Sequence, residues 1–261
     1  MIGAGVLLGV LLGAFQDPAP PGSTDGEAAA AVEAFKAAFS RPEATEDDRV
    51  LAIRTLGQTV HPLTFAVLAP LMTERSALAP IRIAAALVLA DFRAVEETPA
   101  ALMKAYRDPT NALPAMRAVR IRILQTLGAL EAVSAAGVIN AAILDPDPWV
   151  ARAAARAAGK TRHISSIDPL IRRLQLLESK EGNKAVSGED PVPDPTKGKS
   201  DPRPKGGDKY GDGDGSKRTE RHVVQASVQD ALVSITRLRH TCAENWAKWW
   251  AQARRDFKVP K

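Results

Sequence analysis

The residues best suited to acid–base chemistry or metal binding are four histidines, which are isolated from one another along the chain. Zinc sites on helices place two histidines at helical spacing, so that both rings lie on one face. No two histidines here are three or four residues apart; they are His61, His163, His222 and His240. We interpret them as turn or surface residues and predict no metal site, no cofactor and no catalytic residue.

A second pattern with the chemistry of a metal site is "DGDGS" (212–216), whose alternating carboxylates suggest a calcium loop. An EF-hand loop needs glycine at position 6 and an acid at position 12. Counted from Asp212, those positions hold Lys217 and Val223, so the segment does not have the EF-hand pattern.

The single cysteine, Cys242, forms neither an internal disulfide nor a metal site by itself. With no glycine-rich phosphate loop and no nucleophile elbow, we predict that the protein is not an enzyme. An active site assembled from distant residues stays open.

The composition indicates which elements position the polar residues. The chain is 45% apolar but only 5% aromatic, and its apolar residues are mostly alanine and leucine. This bias favours an all-α fold over a β-sandwich. The formal net charge of +5 is not gathered into the dense basic stripe that is usual in nucleic-acid binders, so no nucleic-acid partner is expected.

Five segments share one helical pattern, with apolar residues at the fifth and ninth positions and usually a small residue at the tenth. Four of them are followed by a second apolar stretch, which predicts pairs of helices. The segments are 48–57, 81–90, 119–128, 150–159 and 224–233, and the second stretches are 61–72, 97–106, 134–144 and 166–177. Gly57, Gly128 and Gly159 end three segments, where C-cap glycines are expected.

This pattern resembles HEAT repeats, in particular the short bacterial HEAT-like type first known from phycobilin lyases. The best match is "DPDPWVARAAARAAG" (145–159) followed by "IDPLIRRLQLL" (167–177). The resemblance extends over about residues 45–178 and resumes near 219. It implies a right-handed α-solenoid of about five stacked helix pairs, since one pair cannot bury its apolar face alone. It also leaves an enzyme-assisting or lyase-type role open.

The two ends of the chain and one internal stretch differ from the repeats. Residues 1–16 predict a signal peptide, because an uncharged apolar run of this length is too short to span a bilayer. We therefore expect an extracytoplasmic protein without a stable membrane span after cleavage; retention by an uncleaved signal is the alternative. The remaining expected divisions are a flexible spacer (17–26), a capping helix with four repeats (27–178), a disordered Pro/Gly/charged insertion (179–218) and a last helix pair (219–261).

Arginine occupies the second position of three segments, as Arg49, Arg82 and Arg120. We favour a ladder in which these arginines pair with aspartates of neighbouring turns, among them Asp108 and Asp145. The alternative is a basic stripe that binds an anionic polymer, formed by Arg82, Arg120, Arg122, Arg152 and Arg156.

Three of the four tryptophans lie in "NWAKWWAQARRDF" (245–257). On a helix, Trp246, Trp249, Trp250 and Phe257 share one stripe. We predict that Trp246, Trp250 and Phe257 form a structural cap that closes the stack, with Trp249 partly exposed at the edge of the stripe. An aromatic binding platform is the alternative.

The function predicted from these observations is a non-catalytic scaffold for protein–protein interaction, exported from a bacterial cytoplasm to an unidentified protein partner. Solenoids bind partners on the face formed by their second helices. The candidate partner-binding residues on that face are Lys104, Tyr106, Arg107, Arg172, Arg173 and Trp249.

Overall fold

The computed structural model describes residues 23–186 and 212–260. These ranges are helical and contain no strand, so the predicted all-α class is confirmed for them. The helices described are α1 (Asp25–Phe39), α2 (Glu46–Gly57), α3 (Pro62–Leu71), α4 (Ala79–Val88), α5 (Thr98–Arg107), α6 (Arg117–Ala129), α7 (Ala136–Ile143), α8 (Pro148–Thr161), α9 (Ile167–Val186), α10 (Asp212–Thr236) and α11 (Ala243–Ala253).

Side-chain caps start several helices where the sequence signals them. The spacing of Thr45 and Asp48 in the sequence predicts a capping box, and the two residues form it at α2, while Asp147 caps α8 ahead of Pro148. Ser165 and Asp168 have the same spacing, but the box that it predicts is wrong. The chain forms a short 3₁₀ turn over Ile164–Ser166, and His163 caps that turn instead.

The helices lie in two layers. In the first layer α1 packs on α2, α2 on α4, α4 on α6, α6 on α8 and α8 on α10. In the second layer α3 packs on α5, α7 on α9 and α9 on α11, while the 3₁₀ turn Val133–Ala135 before α7 contacts α5. One connected apolar core runs between the layers from Phe35 in α1 to Trp250 in α11.

The repeated glycines Gly57, Gly128 and Gly159 lie at close helix contacts, and the expectation that they are C-caps is wrong. No described glycine has a positive φ; Glu131 and Arg162 adopt the left-handed conformation instead. A Cβ on Gly128 would lie 2.9 Å from Ala157 Cα, and one on Gly57 would lie 2.6 Å from Val88 Cβ. The glycines are therefore needed where first-layer helices touch.

The boundaries expected around the insertion differ from the helix ends. α9 continues to Val186 and α10 begins at Asp212, so 179–186 and 212–218 are helical. Residues 187–211 lie outside the described residues, as does the predicted signal peptide (1–16). α1 begins at Asp25, capped by Thr24, within the expected spacer. No helix of the described ranges is both long enough and apolar enough to cross a membrane.

Candidate functional site

Arg82 lies at the centre of a buried polar junction, where the turn after the first helix pair meets the turn after the second. Its side chain is 1% exposed, and its guanidinium donates to Asn111 Oδ1 at 2.6 Å and to Thr110 Oγ1 at 2.7 Å. Asn111 in turn donates to the carbonyls of Met72 and Ala105. Thr110 Oγ1 also donates to Asp108 Oδ1 at 2.5 Å. The Thr110 hydroxyl therefore links the Asp108 carboxylate to the Arg82 guanidinium. The Thr110 hydroxyl holds the pKa of Asp108 below its usual range.

A second junction forms one repeat later around Asp145. Its Oδ2 accepts from Arg120 Nη1 at 2.7 Å, and its Oδ1 accepts the backbone N–H of Asp147 at 2.8 Å. Arg173 Nη1 donates to the Asp145 carbonyl at 3.1 Å. Burial, followed by the negative charge of Asp145, raises the pKa of the Tyr106 phenol at this junction.

These junctions favour the ladder over the basic stripe for Arg82 and Arg120. The Arg–Asp ladder has one direct rung, Arg120–Asp145, and one relayed rung, Arg82–Thr110–Asp108. Arg49 is not part of this ladder, since its guanidinium lies 5.8 Å above the Phe39 ring. The basic stripe expected as the alternative is wrong for Arg82, which is buried, and for Arg120, which is paired and 15% exposed.

The six candidate partner-binding residues do not form one patch. Lys104 and Arg107 on α5 and Arg172 on α9 are exposed. Tyr106 and Arg173 are half-buried at the Asp145 junction, where they contribute to packing between repeats. Trp249 is also half-buried, in the aromatic cluster of α11.

The tryptophans of α11 pack against the rest of the second layer. Trp246 is fully buried and Trp250 is 8% exposed. The Trp250 indole N–H donates to Asp168 Oδ1 at 2.8 Å, and the Glu178 carboxylate accepts the Ala243 backbone N–H at 3.0 Å. Both acids lie on α9, so they fix the last helix to the helix that precedes residues 187–211.

Phe257 differs from its expected place on the α11 stripe. α11 ends at Ala253, and the chain turns back so that the Phe257 ring meets Trp249 and Trp250 edge-on, with ring centroids 5.4 and 5.9 Å apart. The tail is held by Arg162, which donates to the Pro260 carbonyl. The aromatic cluster therefore extends beyond the helix.

Three of the four histidines support local structure, and the fourth, His222, is exposed on α10. His61 caps α3 through Nδ1, and its Nε2 lies 3.0 Å from Asp25 Oδ1. The Ser165 hydroxyl is 2.7 Å from His163 Nδ1, as in a nucleophile–base pair. The same nitrogen also accepts the Ser165 backbone N–H, which is the geometry of a turn cap. His240 meets the Trp246 ring edge-on at 4.6 Å. Within the described ranges no group of three His, Cys, Asp or Glu side chains is placed to hold a metal ion.

Sequence reasoning missed Asn111, Thr110, Asp168 and Glu178. A signal for the first two exists, because "DPTN" (108–111) and "DPDP" (145–148) occupy equivalent turns after a second helix. Both acids on α9 carry no such signal, since they act on residues far away in the chain. No protein-family model and no curated protein matches this chain.

An open groove of about 570 Å³ lies on the first layer along α8. Its floor consists of small residues, among them Ala153 and Ala157, and Arg156 and Lys160 rise beside it. These small residues are explained by the close packing of α6, α8 and α10 at Gly128 and Gly159. The groove therefore needs no ligand to account for its composition.

Proposed function

We propose that the protein is a HEAT-like α-solenoid that acts as a non-catalytic scaffold for protein–protein interaction outside the cytoplasm. The solenoid is supported by the succession of first-layer contacts, in which each first helix packs on the first helix of the next pair. It is further supported by equivalent polar junctions one repeat apart, at Asn111 and at Asp145.

The observation that carries the scaffold role is the contrast between the two sides of the second layer. The side toward the core is closed by apolar side chains, and the Trp250 indole and the Arg173 guanidinium are hydrogen-bonded there. The outer side leaves Lys104, Arg107 and Arg172 exposed, with no hydrogen bond or ion pair to any described residue. Surfaces of stacked repeats serve partners in this way because the fold needs only its inner side for stability.

Photo-crosslinking in native cells tests the scaffold role. A photoreactive residue at Ala141, which is exposed on α7 between the cationic residues of α5 and α9, should give a discrete adduct with a partner protein. The same residue at Gln125, exposed on first-layer helix α6, is the matched control.

Export is a separate part of the proposal and rests on the apolar run within residues 1–16. Alkaline phosphatase fused after residue 26 tests it, because that enzyme gains its disulfides only in an oxidising compartment. Activity of the fusion supports export, and an inactive fusion retained in the cytoplasm contradicts it.

A further inference from the structure

The outer side of the second layer carries cations that form no ion pair with a described residue. The acids nearest to them in the chain accept hydrogen bonds from uncharged donors and keep their own negative charge, and Asp108 lines the same shallow depression as Lys104 and Arg107. Asp108 next to Arg107 binds the Thr110 amide and hydroxyl, and Asp168, one turn before Arg172, accepts the Trp250 indole. The turn between α7 and α8 holds two acids, of which Asp145 is paired with Arg120 and Asp147 lies 3.8 Å from Arg117. Lys104, Arg107 and Arg172 themselves form no ion pair with a described residue, so all three remain available to an external anion.

The three cations stand on both sides of a low surface. The exposed residues of helix α7, which lies between α5 and α9, are the small Gly137 and Ala141, and Asn140 is partly exposed beside them. Nothing lies within 4 Å of the position that a Cβ on Gly137 would occupy. Helix α5 contacts the 3₁₀ turn before α7, and α7 packs on α9. With about 8–10 Å between packed helices, α5 and α9 are about 20 Å apart. An extended peptide crosses that distance with about six residues.

We propose that this surface binds an acidic segment of a partner protein, whose carboxylates pair with Lys104 and Arg107 on one side and Arg172 on the other. The inference rests on the proposed scaffold role and names the chemistry of its partner. Arginine favours carboxylates because its planar guanidinium donates two parallel hydrogen bonds to them. The small residues of α7 leave room for the peptide backbone, and the exposed Val133 side chain lies beside them on the turn that contacts α5.

The same surface fits nucleic acid poorly. Nucleic-acid sites combine many phosphate contacts with exposed aromatic rings on which bases stack. Here the exposed cations are few, and the nearest aromatic side chain, Tyr106, is half-buried at the Asp145 junction. The protein partner is thus the better match to the charge and shape of the surface.

Fluorescence anisotropy of a labelled hexaglutamate peptide, titrated with the full chain, tests the inference. We expect saturable binding that weakens with added salt, and about a tenfold loss of affinity in the triple variant Lys104→Gln, Arg107→Gln, Arg172→Gln. The matched control is Arg54→Gln, Arg156→Gln, Lys160→Gln, which removes the same charge from exposed first-layer positions. It should change the affinity by less than about twofold.

Three results would overturn the inference: no binding of hexaglutamate, equal losses in both triple variants, or tighter binding of a labelled oligothymidylate. Its failure can be distinguished from failure of the scaffold role. A crosslinked adduct from position 141 that persists in the Lys104/Arg107/Arg172 variant keeps the scaffold and removes the acidic partner. Hexaglutamate binding without any adduct from position 141 in native cells would keep the carboxylate-binding surface and contradict the scaffold role.

Discussion

The indole of Trp250 donates a hydrogen bond of 2.8 Å to Asp168, a residue 82 positions earlier in the chain. This bond joins the last helix to the start of α9, and the chain between them includes residues 187–211. The aromatic residues of α11 thereby complete the core that begins at Phe35. Their positions favour a stabilising cap over an exposed binding platform.

Truncation of the cap should destabilise the whole fold. We expect Trp250→Ala or Trp246→Ala to lower the free energy of unfolding by about 3–5 kcal/mol, through loss of buried area and the cavity left behind. Trp250→Phe keeps most of the burial and should cost about 1 kcal/mol, the value of the bond to Asp168. Urea unfolding followed by circular dichroism measures these differences. Variants that unfold like the wild type would show that α11 is not part of the core.

Two glycines in helices should respond to alanine in opposite directions. In Gly128→Ala the new methyl group would meet the Ala157 backbone at 2.9 Å, and we expect a loss of about 1–3 kcal/mol from overpacking. Gly137 in α7 has open space around it, so Gly137→Ala should gain about 0.5–1 kcal/mol from helix propensity. Thermal unfolding of both variants tests this. Equal shifts in melting temperature would contradict the packing role of Gly128.

Substitution of Asn111 should lower the free energy of unfolding far more than substitution of an ordinary polar residue. Asn111→Ala removes a buried acceptor from Arg82, leaves the Met72 carbonyl without its side-chain donor and takes one of two donors from the Ala105 carbonyl. We expect a loss of about 2–4 kcal/mol, because a buried charge and two polar groups lose partners together. Asn245→Ala, at an exposed position of α11, is the control and should stay within about 0.5 kcal/mol of the wild type. If both substitutions lower the free energy of unfolding by a similar amount in urea, the buried junction does not stabilise the fold.

Tyr106 should make the fold sensitive to alkaline pH. Its pKa is raised in the folded chain, first by burial and then by Asp145. The unfolded chain therefore loses the phenol proton at lower pH than the folded one, and stability decreases as pH rises above about 10. Tyr106→Phe should flatten this decrease, and Asp145→Asn should bring the phenol titration, followed by ultraviolet absorbance, to lower pH. A decrease in stability that is unchanged in Tyr106→Phe would contradict the assignment.

The helical class, the pairing of helices and the caps at Thr45 and Asp147 could be predicted because they depend on local periodicity and capping chemistry. The role of the repeated glycines could not, since a C-cap and a close contact both call for glycine, and only the packing against Ala157 and Val88 distinguishes them. It could not be predicted either which of the candidate partner-binding residues are exposed. Tyr106 and Arg107 are neighbours in sequence, but the long-range position of Asp145 draws only Tyr106 into a junction.

Photo-crosslinking from Ala141, compared with Gln125, tests the scaffold role most directly. Both positions are exposed, but they lie on opposite layers of the fold. With the photoreactive residue at position 141, we predict a discrete protein adduct in native cells, which is missing at position 125 and weakened when Lys104, Arg107 and Arg172 are changed to glutamine. The same adducts from both positions, or none from position 141, would contradict a partner-binding face on the second layer.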